Sequence, residues 1–102
     1  MILRLGFRVV YGLVDPREGV VKYVGVTDSP QRRFMEHIKP AKRKSIRQPR
    51  VQTWIKELEA QKLLPIFIFL DSVRSEDSIN TEREWIRHFE TIAPLLNERH
   101  KK

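Results

Sequence analysis

The chain has 102 residues, with 20 Lys+Arg against 13 Asp+Glu for a net charge of +7, a sequence isoelectric point near 10.1 and no cysteine. That length supports one modest core and a single domain spanning residues 1–102, with its packed part at about 7–97. The missing cysteines exclude a disulfide scaffold and any thiolate zinc site. The longest apolar stretch, Leu63 to Leu70, holds a proline and is far short of the roughly 20 residues a membrane helix needs. Arg4 and Arg8 interrupt the apolar amino end, so no secretory leader and a cytoplasmic setting are expected.

Phe7 to Val14 and Val20 to Thr27 are rich in β-branched and aromatic residues and flank Asp-Pro-Arg-Glu-Gly, the signature of a β-hairpin. With Asp15 to Gly19 as the loop, Val14 faces Val20 and Tyr11 lies directly opposite Tyr23, on one face of the sheet. Ser29-Pro30 predicts a capped helix start, and Pro30 to Ile38 follows with Phe34 and Ile38 directed inward and Arg33 and His37 sharing another face. Between Gln31 and Lys56 stand nine basic residues and one acid, Glu36. This local patch accounts for the whole charge excess and is what a phosphate-binding surface requires, although a solvated basic loop has the same composition. Pro40 and Pro49 bracket its most basic part and predict a loop carrying Lys42, Arg43, Lys44 and Arg47, with Lys39 and Arg50 at its margins.

The spacing of Val51, Trp54, Ile55 and Leu58 predicts a second helix. Ile66 to Leu70, apolar without alternation, reads as a central strand covered on both faces. A last helix runs from a cap near Ser75, with Glu76 and Asp77 in its first turn. At about 100° per residue, Glu82 falls within the apolar stripe of Trp85, Ile86, Phe89 and Ala93, while Glu84 points to solvent. An inward carboxylate needs a cation, and either a metal ion or an arginine such as Arg33 serves.

In this order the elements form a small α+β domain of hairpin, two helices, buried strand and last helix. It resembles the GIY-YIG nuclease domain, and the resemblance implies a three-stranded antiparallel sheet flanked by three helices. The resemblance rests on Val10-Tyr11-Gly12, Tyr23-Val24-Gly25, Arg33, His37, the Glu82 to Ile86 pattern and Pro94-Leu95-Leu96-Asn97. It implies hydrolysis of DNA phosphodiesters with one divalent metal, Mg²⁺ or Mn²⁺, held by Glu82. It also implies Arg33 on the scissile phosphate, a tyrosine as general base with Tyr11 preferred and Tyr23 as companion, and His37 holding the nucleophile or phosphate. Gly25 would let the backbone approach the substrate, or mark a bulge, and Asn97 would be structural or support the site. Two positions depart from the pattern: no glycine precedes Tyr11, and Val26 stands where some repair members carry lysine. A non-catalytic nucleic-acid-binding module on the same scaffold is the alternative. The resemblance and the basic stretch together imply DNA, bound through its phosphates, as the partner, with no membrane expected.

Overall fold

A computed structural model describes residues 6–39 and 49–97. The hairpin strands are β1 (Phe7–Asp15) and β2 (Val20–Thr27). Helices α1 (Pro30–Ile38) and α2 (Arg50–Ala60) follow, then β3 (Ile66–Arg74), a single 3₁₀ turn at Ser75–Asp77 and α3 (Ser78–Glu90). The strands form one antiparallel sheet in the order β2-β1-β3, so the expected α+β architecture of three strands and three helices is present.

The central strand is β1, not the Ile66–Leu70 segment. Val9, Val10, Tyr11, Gly12 and Leu13 are all buried, so β1 is covered on both faces. In β3, by contrast, Ile66 and Phe69 are 48% and 64% exposed. An unbroken apolar run marks a two-sided strand, and β1 carries such a run as well. What separates the two is position. The hairpin ties β2 to one edge of β1, and β3 returns to the other, which leaves β3 outermost.

The hairpin register also differs from expectation. Asp15 pairs with Val20, so the loop shrinks to residues 16–19, and its backbone carbonyl accepts from Gly19 N–H at 2.7 Å. Gly19 has φ +72 there, a conformation glycine adopts without steric cost. A bulge then shifts the pairing between Leu13 and Val14, so that Leu13 faces Tyr23 and Tyr11 faces Gly25. Either one-residue offset alone would carry Tyr23 to the other face of the sheet. Together they restore it to the face of Tyr11.

Two half-cores result. Val9, Tyr11 and Leu13 pack beneath Val51, Trp54, Ile55 and Leu58, the four α2 positions that the periodicity marks. On the opposite face Val10, Val24 and Leu95 pack with Trp85, Ile86 and Phe89 of α3. Ser29 occupies the N-cap of α1 but its hydroxyl makes no cap bond. The hydroxyl of Thr27 instead accepts Ser29 N–H at 3.0 Å and donates to its carbonyl at 3.2 Å. Glu76 and Asp77 sit in the 3₁₀ turn ahead of α3 rather than in its first turn.

At the end of β1, the fully buried Asp15 carboxylate receives Arg17 through Nη2 at 2.7 Å and Nε at 3.0 Å, and Trp54 Nε1 at 2.9 Å. Hydrogen bonds from Arg17 hold its pKa well below the usual carboxylate range, against the opposing effect of burial. Among the described residues no helix is long and apolar enough to cross a membrane.

Candidate active site

The face of the sheet under α1 and α2 carries the chemistry. Tyr11 is fully buried, and its Oη lies 2.7 Å from Nε2 of His37. His37 is the buried residue of α1, one turn beyond Arg33. Tyr23 completes the group, its ring 6.2 Å from Tyr11 and 5.2 Å from His37. Phe67 of β3 stacks on Tyr11 at 4.7 Å and meets Phe34 edge-on at 5.7 Å, walling the cluster on one side. Arg33 donates from Nη1 to Glu36 at 3.1 Å with its side chain 36% exposed, and its charge acts on the Tyr11 phenol and the His37 imidazole.

The electrostatics define protonation states. Burial raises the Tyr11 phenol above its ordinary 10.0, Tyr23 adds to the effect, and the Arg33 charge opposes it. Positive charge nearby therefore does not yield a resting phenolate, and Tyr11 is a neutral phenol. Burial pushes His37 down from 6.5 to about 4, and Arg33 pushes the same way. At neutral pH the bond accordingly runs from the Tyr11 hydroxyl to an unprotonated His37 Nε2, with the ring proton on Nδ1.

Two acid-sensitive windows follow. The folded-state pKa of His37 lies below its ordinary value, so its contribution is present above pH 6.5 and is lost as pH falls toward 4. That loss amounts to about 3 kcal/mol if the unfolded histidine is unperturbed. Asp15 is likewise depressed, and its contribution is lost only below the ordinary carboxylate value of 3.8. Urea midpoints measured against pH should fall in both windows. His37→Phe should flatten the first and Asp15→Asn the second.

Gly25 faces Tyr11 across the hairpin, and a Cβ built on it would lie 2.5 Å from Tyr11 Oη and 2.6 Å from Cζ. The group that lies close against this backbone is thus Tyr11. Its ring stacks on Phe67 and meets His37 edge-on at 5.8 Å, and its Oη is tied to His37 Nε2. Gly25→Ala is expected to cost about 1–3 kcal/mol through overpacking, read as a lower urea midpoint with an unchanged m value.

Asn97 is tied to β2. Its Oδ1 accepts Val24 N–H at 3.0 Å and its Nδ2 donates to Val24 C=O at 2.7 Å, while Leu96 N–H donates to Lys22 C=O at 2.6 Å. The segment ending in Asn97 therefore takes the place of a further strand on the outer edge of β2. Arg50 donates to the Asn97 carbonyl. Lys39 is exposed at the end of α1, and Lys42, Arg43, Lys44 and Arg47 lie outside the described residues. Glu82 is partly buried on α3 and Glu84 is exposed, as the periodicity implies. The structure gathers Tyr11, Tyr23, Arg33 and His37 together, and Glu82 stands on α3, whose Trp85, Ile86 and Phe89 pack on the sheet's other face.

The sequence reading missed Phe67 as the wall of the cluster and the buried network around Asp15. Phe67 was legible as a sheet aromatic but not as a partner of Tyr11, because the pairing depends on bulges. A pocket of about 370 Å³ near the hairpin end is lined by Asp15, Arg17, Arg50, Trp54 and Leu96, among others, and none of the five catalytic candidates lines it.

A sheet layered between α1 and α2 on one face and α3 on the other, with tyrosines from both hairpin strands meeting an arginine and a histidine of α1, makes an α+β domain with a polar cluster on one face. The family model of the GIY-YIG catalytic domain matches residues 7–95, and the chain belongs to that nuclease family. No match is found among curated proteins or among solved structures.

Proposed function

We propose that the chain is one endonuclease domain, with its core at 7–97, that hydrolyses DNA phosphodiester bonds with a single divalent metal. The supporting observation is the buried Tyr11–His37 hydrogen bond beside Arg33. It joins a neutral phenol to an unprotonated imidazole, an arrangement that can take a proton from water without a free phenolate. As water attacks phosphorus and the P–O bond to the leaving nucleoside oxygen breaks, the water proton passes to Tyr11 Oη while the Tyr11 proton moves to His37 Nε2; the leaving oxygen takes a proton from solvent, and His37 returns its own to solvent. The imidazolium that forms is short-lived because burial disfavours it. Tyr23 orients the Tyr11 hydroxyl. Arg33, half exposed at the rim, meets the phosphate and stabilises the charge that builds on it, a role for which a guanidinium that stays protonated is suited.

Members of the family generally use divalent metals. Among the described residues no three His, Cys, Asp or Glu side chains group to form a protein cage. Mg²⁺ and Mn²⁺ do not require one, since a hard cation of this kind is held by one or two carboxylates together with waters and substrate phosphates. The partly buried Glu82 fits that donor set. A bound ion would supply positive charge to the phosphate oxygens and the leaving group.

Binding rests on phosphate contacts from Lys39 with Lys42, Arg43, Lys44 and Arg47, so sequence preference is expected to be weak. The test is cleavage of supercoiled, linear and branched DNA by purified protein in Mg²⁺, Mn²⁺ or EDTA. Nicking with either metal and none in EDTA is expected. Salt-sensitive binding without cleavage of any substrate would replace the reading with a nucleic-acid-binding module.

A further inference from the structure

Arg50 is the last cation of the basic stretch before the apolar positions of α2, and composition alone assigns it to DNA. The geometry assigns it elsewhere. It is the first residue of α2, and its guanidinium Nη2 donates to the backbone carbonyl of Asn97. Asn97 in turn grips Val24 through both its backbone groups. Val24 lies between Tyr23, whose ring faces Tyr11 and His37, and Gly25, whose missing Cβ leaves the space that the Tyr11 hydroxyl occupies. Among the described residues no strand pairs with the outer edge of β2, and the backbone carrying these two residues is held from outside at Lys22 and Val24 by residues 96 and 97.

From this chain of bonds we propose that Arg50 and Asn97 form a clamp that sets the position of β2 against β1, and hence of Tyr23 and Gly25 against Tyr11. Arg50 is then a positioning residue for cleavage and not a phosphate contact. The inference rests on the endonuclease reading for its kinetic consequence, but the clamp itself is open to a measurement that needs no cleavage. A misplacement of an ångström or less at a catalytic constellation costs up to about a hundredfold in rate. Removing one of the bonds of the clamp is therefore expected to lower turnover about tenfold.

The experiment compares wild type, Arg50→Ala, Arg50→Lys and Asn97→Ala. Duplex DNA is the probe, followed by affinity at several salt concentrations and by turnover at saturating DNA. Amide hydrogen exchange at Val24 is measured without DNA. Arg50→Ala should lower turnover about tenfold, leave affinity and its salt slope unchanged, and speed Val24 exchange, with Arg50→Lys recovering most of each. The double variant Arg50→Ala/Asn97→Ala should lose less than the product of the two single losses, since both residues act on the same edge of β2. A phosphate contact behaves differently: loss of Arg50 would weaken binding and reduce the salt slope by about one. That result, or unchanged Val24 exchange in a folded Arg50→Ala protein, overturns the clamp. If Arg50→Ala fails to fold, Arg50→Met, which keeps the aliphatic stem and lacks the donor, carries the same comparison. If wild type does not cleave at all, the endonuclease reading fails, and Val24 exchange still decides the clamp.

Discussion

Arg33→Ala is expected to reduce single-turnover cleavage of DNA by about a thousandfold while the protein stays folded. The fold should survive because the Arg33 side chain is 36% exposed and its ion pair with Glu36 is a helix-surface contact, of a kind worth only a few tenths of a kcal/mol. Catalysis should not survive, because in the proposed mechanism Arg33 is the cation from α1 that meets the phosphate. Lysine should not restore the rate, since it lacks the planar fork that engages two phosphate oxygens at once. The variant also removes a charge that lowers the pKa of both Tyr11 and His37. The His37 titration, followed by NMR, should therefore move up from about 4 toward the ordinary value. Near wild-type cleavage in Arg33→Ala would remove the residue from the mechanism.

Tyr11→Phe should be comparably severe, lowering cleavage by about 10²–10⁴-fold. The substitution keeps the ring, its stack on Phe67 and the space over Gly25, and removes only the oxygen that relays the proton. It leaves the buried Nε2 of His37 without its partner, which should cost about 1–3 kcal/mol of stability. The rate loss and the stability loss are separable: at a temperature where both proteins are fully folded, the rate difference should persist. Tyr23→Phe, which leaves the Tyr11–His37 bond intact, should be milder. The reverse order of effects would make Tyr23 the base.

The elements and their faces were legible in the sequence because they depend on local periodicity. The α2 stripe of Val51, Trp54, Ile55 and Leu58 is buried as its spacing implies, and Glu82 and Glu84 differ in exposure as the helical repeat requires. The sheet order was not legible. Two segments, in β1 and in β3, carry apolar runs suited to the centre, and only the tertiary return of β3 decides between them. The tyrosine pairing was legible in face but not in register, because the shorter loop and the bulge each moved it by one residue. His37 shows the sharpest limit. Its spacing from Arg33 indicated a shared face, but a lone histidine in a polar helix gives no sign that the tyrosine beneath it will bury it and hold it unprotonated. The bonds from Asn97 to Val24 and from Arg50 to Asn97 join residues distant in the chain, and no local pattern encodes them.

The central claim, that this domain cuts DNA using a metal held by Glu82, is tested most directly by nicking of supercoiled DNA in Mg²⁺ by wild type and Glu82→Ala. Both proteins are prepared identically and compared at concentrations giving equal DNA occupancy. The account predicts nicking by wild type that EDTA abolishes, and none by a folded Glu82→Ala protein that still binds DNA. Equal nicking by the two proteins would contradict it.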